Sequence, residues 1–315
     1  MAQTKDAGGI EYDMAYYSAS GRHMRYSFLG QRFEMDAGFR PDRGECWIAW
    51  VAPEGAGLRA TFKWMYEGWY TALWRSPEDR VWVTESQGSV FEFARPDSDY
   101  KKHELPSTLF GIYGLSEHEI YVWGERNYRP AMFRWDGRGW TDIPAPPFAM
   151  DCMHGLSTHD LWVSGADGGV ARWDGSAWRP LATRTQERIV SIFVAGPDEL
   201  YGCGNRGSIF EGSQSGWTRI GGIPDTETGD VQAVAKWNGD LWIACSRLGL
   251  WKRIGKTDQF DRYKPRVDAV SIDVRDGIVV ACKHLVASSA DGVGFMATAM
   301  EHLLNDRANK LLGQP

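Results

Sequence analysis

An all-β chain built from repeated small sheets is what this sequence predicts, and three observations predict it. The 315 residues include 16 Trp and 36 Gly, and 13% are aromatic; aromatic side chains suit pleated, half-buried surfaces, and glycine suits the tight turns between strands. The segments DRVWV, HEIYVW, HDLWV, DELYGC, GDLWIAC and DGIVVAC each place an acidic or glycine-containing turn before an apolar strand. Their first apolar residues, Val81, Ile120, Leu161, Leu200, Leu241 and Ile278, are spaced by 39, 41, 39, 41 and 37 residues, the period of a four-stranded repeat.

Each repeat opens on an inner apolar run: YTALW, LFGIYGL, FAMDCMHGL, VSIFVA, VQAVAKW and VDAVSIDV. The acidic-turn strand follows, then a third strand (SVFEFA, AMFRW, GVARW, SIFEG, LGLWKRI, HLVASSA), and in most units a fourth (GWTDIP, AWRPL, GWTRI, QFDRY). One such sheet cannot bury both faces, whereas sheets stacked in a ring can, so the architecture expected is a β-propeller. Upstream, IEYDMAYYS, MRYSFLGQRFEM, ECWIAWV and LRATFKWM supply one more set of four strands. The expectation is therefore a seven-bladed propeller of four-stranded antiparallel blades with a short C-terminal helix, a single domain over 1–315. Its N-terminal blade spans about 10–69, six repeats fill 70–299, and a helical tail occupies 300–315. The helix is read from MATAMEHLLNDRANKLL, residues 296–312, where Met300, Leu303, Leu304, Ala308 and Leu311 fall at helical spacing before Gly313 and Pro315.

Two of the third-to-fourth-strand connections are near copies, MFRWDGRGW and VARWDGSAW. Asp-Gly is the preferred pair of a two-residue type I′ turn, so Asp136-Gly137 and Asp174-Gly175 are expected to make such turns. Trp135/Trp140 and Trp173/Trp178 would then face each other across the hairpins. Recurrence at blade period marks these pairs as scaffold rather than an aromatic clamp for a ligand.

The run HDLWVSGADGGVARWDGSAW is similar to blades of bacterial WD40-like propellers, and Ser164-Gly-Ala-Asp-Gly-Gly-Val-Ala-Arg-Trp-Asp174 resembles the end of a WD40 repeat. The match is best over 160–178. No Gly-His dipeptide opens the repeats, and the Trp-Asp pair occurs only at Trp135-Asp136 and Trp173-Asp174. Ser289-Ala-Asp-Gly-Val-Gly-Phe295 partly resembles the Asp-box of sialidase-like propellers. Propellers include lyases, oxidases, glycosidases, inhibitors and scaffolds, so the resemblance implies the fold and no one activity.

A formal net charge of −6 argues against a nucleic-acid partner, whose phosphates call for a basic field. The opening MAQTKDAGGIEYD lacks the pattern of a secretory signal, and no apolar run reaches the length of a membrane span. Cys46, Cys152, Cys203, Cys245 and Cys282 are odd in number, without CxxC spacing. A reduced, cytoplasmic protein with no membrane partner is expected.

Turns after the second strand of each blade share a face with the connections between blades. They present Glu85, then Glu125, Arg126 and Tyr128, then Asp167, Arg206, Arg247, and finally Lys283 with His284. One half of this rim reads acidic and the other basic, a pattern that would orient a protein partner. The histidines show no metal-ligand spacing, and His118 and His159 fall in equivalent turns. No metal or cofactor is expected. Only His154, on an inner strand, and His284 are candidates for acid–base work, each better read as a structural histidine. The expectation is a non-catalytic protein-binding propeller, in its most concrete version an inhibitor or immunity-type protein that neutralises a bacterial toxin. The alternative is a propeller-fold enzyme of lyase or glycosidase type acting on a small molecule or glycan.

Overall fold

A computed structural model describes residues 4–5, 11–34, 45–66, 68–96 and 98–299. They form seven antiparallel sheets whose strands are consecutive in the chain, over 11–66, 70–104, 108–143, 150–180, 189–222, 233–264 and 269–299, here blades 1 to 7. Six have four strands; blade 1 adds the two-residue strand Thr4–Lys5, paired with its innermost strand Glu11–Arg22. The chain is a seven-bladed propeller, and the strands read upstream of Tyr70 form its first blade.

The reason for the ring lies between the sheets. Buried apolar side chains fall into seven clusters, each shared by two neighbouring blades. Trp82 and Val90 of blade 2 meet Ile120, Val122 and Phe133 of blade 3, and Val279, Ala281 and Val286 of blade 7 meet Tyr26, Phe28 and Trp47 of blade 1. Each such side chain contributes about 1.5–3 kcal/mol on leaving water, and it does so only when the next blade is in place. The repeated aromatic after the acidic turn supplies much of this packing: Trp82, Trp162 and Trp242 are at most 1% exposed.

Around the axis the inner strands are tied blade to blade. Ser18 Oγ donates to Leu73 O (3.0 Å), Tyr113 Oη to Gly155 O (2.8 Å), and Ser191 Oγ accepts from Val234 N (3.2 Å). The ring closes in the same way without exchanging a strand among the described residues. Ala19 N donates to Ser271 Oγ (3.3 Å), Gly21 N to Asp273 Oδ2 (2.7 Å), and Tyr26 Oη to Val286 O (3.3 Å). Arg275 of blade 7 donates to Ser20 Oγ of blade 1 and to the carbonyl of Arg75 in blade 2 (2.9 and 2.6 Å).

Two local expectations need correction. Trp135 pairs with Trp140 and Trp173 with Trp178, ring centroids 5.5 and 5.3 Å apart, but four residues separate each pair. Only Gly137 (φ 90°) and Gly175 (φ 96°) are left-handed, so the turns are not type I′. The carboxylates of Asp136 and Asp174 instead accept the amides of Arg138 and Gly139, and of Ser176 and Ala177, at 2.8–2.9 Å. An aspartate that mimics backbone in this way shapes a longer loop. At the other end of the chain, Met296–Ala299 is the outer strand of blade 7, paired with Leu285–Ser289. The helix expected over 300–315 lies outside the described residues.

Candidate functional site

Antiparallel order places the second-to-third-strand turns and the inter-blade connections on one face. The sequence-selected residues lie along this face from blade 2 to blade 7, about one turn per blade, so they form a rim and not a convergent cluster. Glu85 is buried at 6% exposure, its carboxylate accepting Ser86 Oγ (3.1 Å) and Gln87 N (3.0 Å); it shapes its turn. Glu125 is half-buried, and Asp167 is exposed at φ 55°. Arg126 pairs with Asp142 (2.6 Å) and lies over the Phe133 ring. Arg206 is exposed, its amide held by Glu187 Oε1 (2.6 Å), while Arg247 pairs with Asp230 (2.8 Å) and approaches Glu227 (3.4 Å). Lys283 and His284 are half-buried. The acidic and basic halves are thus partly neutralised within the chain.

Tyr128 stands apart. The corresponding turns of blades 2, 4, 5 and 6 reach the left-handed conformation at Gly88, Gly168, Gly207 and Gly249. At Gly88, Gly168 and Gly249 a Cβ would meet a carbonyl oxygen of the neighbouring connection at 2.0–2.3 Å, so those turns are tucked in. Blade 3 has Asn127 (φ 53°) and Tyr128 (φ 61°) between the paired Arg126 and Arg129, a two-residue hairpin of I′ type. A bulky residue in that region is strained by about 1 kcal/mol or more. Tyr128 is nevertheless 95% exposed, so its ring gains no packing in return.

The strands that carry it are eight and seven residues long, against five and five in blade 2. At about 3.3 Å per residue the tip stands several ångströms proud. Trp69 (38% exposed), just before the inner strand of blade 2, and Phe110 (44%), near the start of the inner strand of blade 3, lie on the same face. Sequence reasoning missed both because each sits beside an apolar run that reads as core; Phe110 is turned out by a bulge between Leu109 and Gly111.

Inside the ring the inner strands enclose a channel of about 480 Å³ whose lining includes Cys152, His154, Ser191, Ser271, Asp273 and Arg275. His154 lies between Tyr113 and Phe193, ring centroids 5.5 and 4.6 Å away, and its Nδ1 accepts the amide of Val194 (3.2 Å). Burial lowers its pKa to about 4, opposed by Asp273. A neutral imidazole joining blade 4 to blade 5 is one more inter-blade tie. Asp273 and Arg275 are engaged in ring closure. His284, the other histidine candidate, has a buried Nδ1 without a hydrogen-bond partner among the described residues.

No protein-family profile matches the chain. Over 169 residues it is 24% identical to a protein called "Immune protein Tsi7" from Pseudomonas aeruginosa strain PAO1, covering 51% of this chain and 50% of that one. The chain thus spans about half the length of this curated relative. Among solved structures it is similar to the WD40 β-propeller domain of Doa1, with a TM-score of 0.65, 10% identity and coverage of 86% and 91%. It is also similar to YCF48 bound to D1 peptide, with a TM-score of 0.55, 12% identity and coverage of 72% and 80%. Saccharomyces cerevisiae Sqt1 gives 0.60, 8%, 90% and 85%. These structures share the fold, and the bacterial relative accords with the resemblance to bacterial WD40-like blades.

Proposed function

We propose that this chain is a non-catalytic, protein-binding propeller of the immunity type, which neutralises a bacterial toxin by seating the rim around Tyr128 on it. The observation that carries the reading is the blade-3 hairpin: a left-handed tyrosine, 95% exposed, at the tip of strands longer than those of blade 2. Exposed aromatics with few rotatable bonds are the usual anchors of protein interfaces. Its strain makes no contribution to the isolated fold, which is the signature of a residue kept for a contact elsewhere. The partial likeness to an immune protein supports the same reading, as does a neighbour of this fold solved with a bound peptide. In this proposal the protein works in the cytoplasm, where its five free cysteines remain thiols.

The test is a pull-down from the native cell, followed by co-expression with any toxin it captures. Protection of the cell and co-purification of a stoichiometric complex are the expected results. A complex whose hydrogen-exchange protection spares residues 126–130 and falls on the opposite face would overturn the placement, and failure to protect would overturn the function.

A further inference from the structure

On the face opposite the Tyr128 hairpin, blades 1 and 2 part in a cleft of about 420 Å³. The turns between first and second strands and between third and fourth strands border it. They bring together Arg25, Arg59, Arg75 and Arg95 with two carboxylates, Glu54 and Asp79. Trp50, Val51 and Pro96 give the cleft apolar walls.

Arg75 is its fixed point. The side chain is 5% exposed; Nε and Nη2 meet Asp79 Oδ1 at 3.1 and 2.9 Å, and Nη1 donates to Ser27 Oγ at 3.4 Å. A guanidinium has about five N–H donors, so this one has donors to spare. Asp79 is shared, since Arg25 Nη1 approaches its other oxygen at 3.6 Å. Arg59 has Glu54 (3.0 Å), and the exposed Arg95 has no ion-pair partner among the described residues. Arg275 crowds the same spot from the ring closure, donating to the carbonyl of Arg75 (2.6 Å) while its own Nε lies 3.4 Å from Asp273. Burial lowers the pKa of Arg75 and Asp79 raises it, while Arg25 and Arg275 lower it further. The cleft's own carboxylates are thus already engaged, and four arginines against two acids leave an excess of two positive charges.

Like charges crowded around a buried guanidinium are relieved by an anion, and arginine forks match the oxygens of carboxylate and phosphate. A carboxylate brings a single charge. A phosphate group brings about −1.5 to −2 at neutral pH, which is the size of the excess.

We propose that this cleft binds a phosphate group, free or carried on a small organic molecule. Arg75 and Arg25 take its oxygens, Arg95 adds the remaining charge, and the apolar walls take a flat organic body where there is one. A single cleft on a chain of net charge −6 suits one phosphate and not a polyanion. The site is separate from the toxin reading, because it lies on the other face.

The test is calorimetric titration of the full chain with inorganic phosphate, phenyl phosphate and benzoate, at a constant ionic strength near physiological, where exposed charges are screened. Saturable one-site binding of the phosphates is expected, with benzoate about tenfold weaker. Tighter binding of phenyl phosphate assigns the site to an organic phosphate, and equal or tighter binding of inorganic phosphate assigns it to the free ion. Arg25→Gln and Arg95→Gln keep the buried Arg75–Asp79 pair, and each is expected to weaken phosphate binding about tenfold, as loss of a charge-assisted contact does. Arg138→Gln makes the same change of charge in an exposed turn of blade 3 on this face and is expected to bind like the parent. Absence of saturable heat, benzoate bound as tightly as the phosphates, cleft variants that bind like the parent, or equal weakening in all three variants would overturn the proposal.

Discussion

Gly175 shows how a single position holds one of these blades. Its φ is 96°, and a Cβ would lie 2.4 Å from His159 Nδ1 in the adjoining turn; Gly137 stands in the same relation to His118 at 2.2 Å. The equivalence of His118 and His159, legible in the sequence, thus has a packing reason. Gly175→Val is expected to lower stability by about 2 kcal/mol, because a β-branched residue is strained there and must also displace the imidazole. Chemical denaturation checks this, and a midpoint equal to the parent's would contradict it. His154 makes a second prediction. With a pKa of about 4 in the fold against the ordinary imidazole value of 6.5, the unfolded chain binds a proton between those values that the native chain does not. Stability should therefore fall as pH drops from 6.5 towards 4, by up to about 3 kcal/mol at 1.36 kcal/mol per unit. His154→Gln is expected to flatten that part of the curve, and parallel curves for parent and variant would count against the assignment.

Within a blade, the hairpins show what a strand pattern conveys and what it hides. The alternation around Trp173 and Trp178 was enough to pair them, because facing aromatics follow from register once a short turn is assumed. The turn type was not legible: a dipeptide indicates a left-handed glycine but not whether the aspartate side chain recruits two further amides. Similarly, Met296–Ala299 has residues that favour helices, and it is a strand because Leu285–Ser289 offers it an edge. Trp173 is half-buried against the interface of blades 3 and 4, beside Trp178, whose Nε1 donates to Pro144 O at 2.8 Å. Trp173→Ala should cost about 2 kcal/mol, less than the 3–5 of a fully buried aromatic. A calorimetric scan that found no loss would place the ring outside the packing.

At the scale of the whole molecule, the 37- to 41-residue spacing made the ring legible, since a repeat that cannot bury its faces alone predicts the stacking that buries them. The proposed binding face was legible only in outline. Charge letters in turns do not reveal that Glu85 is buried or that Arg126 and Arg247 are already paired. The distinctive signal was Asn127-Tyr128 standing where four other blades place a glycine, and its weight appears only when the backbone angles and the 95% exposure are known. The central claim is that Tyr128 is kept for a partner and not for the fold. The most direct measurement compares the parent and Tyr128→Gly for melting temperature and for dissociation rate from the protein partner proposed for this face. Glycine accepts the left-handed angle, so the melting temperature should be nearly unaltered, while loss of the anchor should weaken binding by about 2 kcal/mol or more, mainly through faster dissociation. An unchanged dissociation rate at unchanged melting temperature would contradict the account.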